Sequence, residues 1–147
     1  SRNLMFTENN NPGVIDFQDA VVGPISYDLV SLYRDCYIDW PDEKIYAWLD
    51  DFLQQRKERD CCDDFDSVRF YQWFDWMGVQ RHMKAIGIFS RLLLRDGKEG
   101  YLRDIPRTLT YVIKVCERYE ELKPLANLID KYQLMQKFET FQKDSVK

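Results

Sequence analysis

From Phe70 to Leu93 the side chains Phe70, Tyr71, Phe74, Met77, Ile86, Phe89 and Leu93 recur at helical spacing, and no proline interrupts residues 66–95. A strand would alternate with period two and cannot produce this stripe. The spacing predicts one helix from about Asp66 to Arg95, roughly 45 Å long at 1.5 Å per residue, and such an element becomes the spine on which the chain packs. Shorter helices are expected around it. After Gly23-Pro24, Leu29, Val30, Tyr33, Cys36 and Tyr37 mark a helix ending at Trp40-Pro41, with Ser26 or Asp28 as its cap. Ile45, Trp48, Leu49, Phe52 and Leu53 share a face of a second, from about Asp42 to Arg59, whose charged end runs into an acidic loop over 60–67. Asp96-Gly97 stops the long helix, and Asp104-Ile105-Pro106 restarts the pattern to about Leu122, with Leu109, Val112, Ile113, Cys116 and Tyr119 inward. Pro124 opens a shorter helix carrying Leu125, Leu128, Ile129 and Tyr132, and residues 137–147 read as a fraying polar end.

A chain of 147 residues with 45% hydrophobic residues can bury a core of its own, so one mainly α unit is expected. The net charge of -4 leaves no basic excess for a phosphate backbone, which argues against nucleic acid as a partner. The apolar runs 86–89 and 92–94 are separated by Ser90 and Arg91, well short of the ~20 residues of a membrane span. The polar start Ser1-Arg2-Asn3 lacks the apolar stretch of a secretory signal. Cys36, Cys61, Cys62 and Cys116 show no metal-ligand spacing and read as reduced thiols, as in a cytoplasm. His82 is the sole histidine, which leaves triad chemistry with little to build on.

The first 17 residues have a different grammar. Leu4 to Thr7 and Val14 to Phe17 are short extended segments flanking the turn formers Glu8-Asn9-Asn10-Asn11-Pro12-Gly13, which is the pattern of a β-hairpin. Asp16 ends the second arm, in apolar company where an unpartnered carboxylate would be costly. Asn3 stands 13 residues earlier, at the entrance to the first arm, so closing the hairpin can bring amide and carboxylate together. Two oxygen ligands beside open solvent suit Mg²⁺, a hard cation that keeps waters and accepts phosphate oxygens. The same residue types also serve as a strand-entry cap and a turn initiator, and Asp19 reads as a surface turn.

Ser1-Arg2-Asn3-Leu4-Met5, Val14-Ile15-Asp16-Phe17-Gln18-Asp19-Ala20, Gly23-Pro24 and Tyr27-Asp28-Leu29 together resemble the C-terminal lobe of the aminoglycoside phosphotransferase-like kinases, distant relatives of protein kinases. Residues 14–41 and 77–112 further resemble the subgroup that phosphorylates the anomeric hydroxyl of N-acetylmuramate and N-acetylglucosamine in bacterial cell-wall recycling. The likeness covers essentially the whole chain. It implies a protein-kinase-like C-terminal lobe over 1–147, a hairpin followed by about five helices, with the N-terminal lobe absent. Asn3 would be the last residue of the HxDxxxxN catalytic loop and Asp16 the aspartate of the DFG segment, both ligands of the Mg²⁺ that holds the ATP phosphates. Asp28 would brace that loop. Gln18 replaces the glycine of DFG, which argues against an activation switch of the protein-kinase kind. The catalytic aspartate would stand five positions before Asn3, upstream of Ser1, so the segment alone is expected to be inactive.

The resemblance implies an amino sugar and a nucleotide as partners, bound with the missing lobe in a cytoplasmic enzyme, and places the acceptor pocket among the helices. Arg34, Asp35, Gln80, Arg81, His82 and Lys84 are its candidates, and a guanidinium at Arg34 or Arg81 offers paired donors to a lactyl carboxylate. Against this, both arginines suit ion pairs and His82 suits a structural hydrogen bond. Helical spacing assigns Trp48 and Trp73 to core packing rather than to sugar stacking and leaves Trp40 least constrained. An antibiotic kinase drawing polycations to the acidic 60–66 cluster is the alternative within enzymes, and a non-catalytic helical binding module the alternative outside them. Apolar surface near the hairpin would favour self-association of the segment.

Overall fold

The computed structural model describes residues 3–16, 18, 20–59 and 66–145, with side chains as far as Phe141. Within them stand two paired strands, β1 (Leu4–Met5) and β2 (Gly13–Val14), and six helices: α1 (Ser26–Tyr33), α2 (Asp42–Glu58), α3 (Ser67–Asp96), α4 (Ile105–Arg118), α5 (Lys123–Lys131) and α6 (Leu134–Ser145). Short 3-10 turns over Glu99–Asp104 and Glu120–Leu122 lead into α4 and α5. This is the mainly α architecture with an N-terminal hairpin that the sequence implies. The acidic loop, Cys61, Cys62, Phe17 and Asp19 lie outside the described residues.

The spine is as long as the stripe demands. The Asp66 carboxylate accepts from the backbone N–H groups of Val68 (2.9 Å) and Arg69 (3.3 Å), satisfying two donors the first turn leaves open. At the other end Gly97 takes φ +63°, a left-handed conformation that costs a residue without Cβ little, and its N–H returns to the Leu93 carbonyl at 2.9 Å. Along α3 the buried stripe runs Phe70, Phe74, Asp75, Gly78, Val79, His82 and Phe89.

Three patches of core lie along this spine. Leu29 and Val30 of α1 and Ile45, Leu49 and Leu53 of α2 close over Phe70 and Phe74. Leu109, Val112, Val115 and Cys116 of α4 pack with Val79 and Ile129. Phe89, Leu102 and Ile105 form the third. The helices are joined by apolar contact, the dominant favourable term in such packing.

Three expectations need correction. α1 ends at Tyr33 rather than at Trp40. The chain from Arg34 onward is captured by partners outside the helix: His82 meets the Arg34 carbonyl, Arg107 donates to the Cys36 carbonyl, and the Asp35 side chain accepts from the Tyr37 N–H at 3.0 Å. The expected polar tail is instead α6, because Leu134, Met135 and Phe138 pack against the α4–α5 patch. The hairpin arms are shorter than expected; the Thr7 N–H goes to Asn11 Oδ1 (3.2 Å) and Asp16, at φ +63°, turns the chain after Ile15. Of the side chains carried by α5 and its end, Ile129 is buried while Leu128 and Tyr132 are exposed.

Candidate functional site

The hairpin register sets the first candidate group. Leu4 lies opposite Val14 and Met5 opposite Gly13, and the Ile15 N–H donates to the Asn3 carbonyl at 3.1 Å. Asn3 and Asp16 therefore fall on adjacent ends of the ribbon. Asn3 Nδ2 donates to Asp16 Oδ2 at 3.0 Å, and Gln18 Nε2 donates to Asp16 Oδ1 at 3.0 Å. Both side chains are exposed. The left-handed backbone of Asp16 is uncommon for a residue with a Cβ, although aspartate tolerates it better than most, and such conformations cluster where a side chain must be aimed.

One carboxylate and one amide, side by side and open to solvent, fit a hard divalent cation completed by oxygens from outside the protein. No group of three or more His, Cys, Asp and Glu side chains that could hold a metal assembles among the described residues. A cation here would therefore rest on Asn3 and Asp16.

The acceptor candidates divide. Arg34 and His82 are buried, 4% and 2% exposed, with described polar partners inside the protein. Arg34 Nη1 donates to Asp42 Oδ1 at 3.1 Å, and its Nη2 lies 3.7 Å from Asp75. His82 Nε2 stands 2.9 Å from the Arg34 carbonyl, which can only accept, so that nitrogen carries the proton. Burial pushes the imidazole pKa down to about 4, and the Arg34 and Arg81 charges act in the same direction, so the ring is neutral. The ring also stacks on Tyr111, with centroids 5.1 Å apart.

Arg81 is placed differently. Its Cζ lies 4.0 Å over the Tyr27 ring, and no carboxylate among the described residues pairs with it. Asp35 is half-buried in the turn after α1; Gln80, Lys84 and Asp28 are exposed, Asp28 in the first turn of α1.

A cavity of about 510 Å³ opens between Pro24, Ile25 and Ser26 on one wall and Trp73, Trp76, Met77 and Gln80 on the other, its edge residues Ser26 and Gln80 being the chain neighbours of Tyr27 and Arg81. Trp73 is thus a wall residue, 42% exposed, and not core. It lies off the buried stripe, one residue before Phe74, so helical rotation carries it round to the groove. Trp48 is half-buried between Tyr33 and Trp40, and Trp40 is itself held under the Lys44 ammonium at 4.3 Å.

The group missed by sequence reasoning is Asp75, whose side chain is fully buried. It accepts from Tyr46 (2.8 Å), Tyr119 (2.9 Å) and Arg118 Nη1 (2.7 Å), tying α2 and α4 to α3. Burial, reinforced by this carboxylate, pushes the Tyr46 hydroxyl up to about 12 and raises that of Tyr119. The signal was present in the sequence: Asp75 sits next to Phe74 and three residues before Gly78, inside the apolar stripe.

Comparison with known proteins adds to this geometry. Residues 1–71 match the phosphotransferase enzyme family (APH). The chain is 45% identical over 132 residues to an N-acetylmuramate/N-acetylglucosamine kinase of Pseudomonas putida, covering 90% of the chain and 39% of that protein. It is 48% identical over 128 residues to one of Neisseria meningitidis, covering 87% and 38%, and 34% identical over 120 residues to one of Caulobacter vibrioides, covering 82% and 31%. The chain spans about two-fifths or less of the length of these curated relatives.

Proposed function

Starting from a chain that is related to the phosphotransferase enzyme family and to N-acetylmuramate/N-acetylglucosamine kinases, we propose that it forms the C-terminal lobe of a small-molecule kinase. The complete polypeptide transfers a phosphoryl group from ATP to the anomeric hydroxyl of an N-acetylated amino sugar, in a cytoplasmic, cell-wall-recycling role. The observation that carries this reading is the exposed Asn3–Asp16 pair, 3.0 Å apart, within the family-matching residues.

Asn3 and Asp16 would hold Mg²⁺, and the bound ion supplies neutralisation of phosphate charge during transfer. The chain's own work is positional. The ribbon register fixes Asn3 against Asp16, the φ of Asp16 aims its carboxylate, and Gln18 holds the second carboxylate oxygen. Arg81, unpaired with any described carboxylate, is the guanidinium we assign to the lactyl carboxylate that distinguishes N-acetylmuramate from N-acetylglucosamine. Asp28 braces the catalytic loop.

The test uses the complete polypeptide. Asn3→Ala and Asp16→Asn should each lower sugar-dependent ADP release at least about 100-fold, the scale on which charge stabilisation of a transition state acts. Each should also weaken Mg²⁺-dependent nucleotide binding in calorimetry. Parental rates in both variants sink the assignment. The 147 residues alone should release no ADP. A polycationic antibiotic turned over faster than either sugar would transfer the assignment to antibiotic kinases.

A further inference from the structure

We propose that Tyr27 is a positioning residue that sets acceptor preference by holding the Arg81 guanidinium flat, one residue along α1 and α3 from the cavity-lining Ser26 and Gln80. The inference rests on the kinase reading above and on the assignment of Arg81 to the lactyl carboxylate.

The geometry is specific. Tyr27 stands in the first turn of α1, eleven residues after Asp16, and α1 begins where the chain leaves Gly23-Pro24. The Tyr27 N–H donates to the Pro24 carbonyl at 3.0 Å, which ties the ring's backbone to the cavity wall. The Arg81 Cζ lies 4.0 Å from the centroid of the Tyr27 ring, within cation–π distance and close enough for the guanidinium to lie against the ring. Stacking occupies the faces of a guanidinium and leaves its in-plane N–H groups directed outward, the geometry that meets a carboxylate with two parallel hydrogen bonds. A lysine or a freely rotating arginine would present charge without that plane.

The surroundings favour a ligand over an internal partner. Arg34, the other guanidinium considered for the carboxylate, is spent on Asp42 and Asp75, whereas Arg81 has no described carboxylate within ion-pair distance. Tyr27 is 38% exposed, so its ring covers one face of the guanidinium without sealing the site. The cavity lined by their chain neighbours Ser26 and Gln80 offers Trp73 and Trp76 for the apolar face of a pyranose and the Gln80 amide for an acetamido group. Trp76 is braced edge-to-face on Tyr119, at 6.2 Å between centroids, so this wall is preformed.

The experiment compares both sugars in the complete polypeptide. Tyr27→Leu should raise the KM for N-acetylmuramate relative to that for N-acetylglucosamine by about two- to fivefold, the scale of an exposed cation–π contact, while the ratio of the two kcat values stays put. Tyr27→Phe keeps the ring and should restore the parental KM ratio. Arg81→Ala should shift the ratio about tenfold or more, and adding Tyr27→Leu to it should shift it no further. An unchanged ratio in Tyr27→Leu beside a shifted one in Arg81→Ala overturns the role of Tyr27 and leaves the kinase reading intact. An unchanged ratio in Arg81→Ala overturns the carboxylate assignment and the inference together, with sugar transfer still observed. Transfer to neither sugar by the parent overturns the reading itself and this inference with it.

Discussion

Replacing Asp75 by Asn removes a charge from the centre of the helical packing while nearly conserving its shape. The carboxylate is fully buried and receives Tyr46, Tyr119 and Arg118, with Arg34 at 3.7 Å. An amide keeps one oxygen acceptor and turns the other position into a donor facing donors. A tyrosine hydroxyl can rotate to accept, and Arg118, 39% exposed, can recover water, so those two losses are partly offset. Arg34 has no such escape: its side chain is 2% exposed, its Nε and Nη2 make no hydrogen bond, and Asp42 would remain its sole carboxylate among the described residues. Breaking one partner from a buried ion pair costs about 3–5 kcal/mol; with the offsets we expect about 3 kcal/mol. With an m-value of ~2 kcal/mol/M this is a loss of about 1.5 M in the urea midpoint. Tryptophan fluorescence suits the assay because Trp76 contacts Tyr119. Tyr119→Phe should cost about 1–2 kcal/mol in the parent and much less in the Asp75→Asn background. A midpoint shift under about 0.4 M, the scale of an exposed ion pair, would refute the view that Asp75 fastens α2 and α4 to α3.

Other outcomes follow from single side chains. The His82 pKa of about 4 in the folded chain lies below the unfolded value of about 6.5, so the unfolded chain binds more protons between them. The His82 contribution is therefore complete above pH 6.5 and is lost as pH falls through 4, by up to about 3 kcal/mol; His82→Gln should remove that part of the pH dependence in urea titrations at pH 4 to 7. Gly97→Ala forces a Cβ into the left-handed turn and should cost about 1 kcal/mol, read as a lower melting temperature. Asp66→Ala deletes the acceptor for two N–H groups at the start of α3 and should cost a similar ~1 kcal/mol, seen as faster hydrogen exchange at Val68 and Arg69.

What the sequence made legible was whatever depends on period and punctuation. The spine was placed within a residue at each end because Asp66 and Gly97 are local signals, and α2 likewise began at its proline. The Asn3–Asp16 meeting was also legible, since a turn-rich segment between two short apolar arms leaves few ways to close. Tertiary competition was not legible. Residues 34–40 look helical in isolation, yet His82 and Arg107 recruit their carbonyls from 48 and 71 positions away. Residues 137–145 look like a polar tail, yet Phe138 finds a core to enter. Trp73 shared a helix with the core but not its stripe. The two candidate arginines could not be separated by sequence, because what divides them is the placement of Asp42 and Asp75 around Arg34.

A single unbroken helix carries the Trp73–Trp76 wall, the Asp75 anchor, Arg81 and His82. Inserting one amino acid anywhere between them would swing everything downstream by about 100° and advance it about 1.5 Å. Tuning of this groove is thereby confined to exchanges of one side chain for another. Additions or deletions are tolerable only beyond Gly97 or ahead of Asp66, where the length of the connection can change without turning one end of the screw against the other.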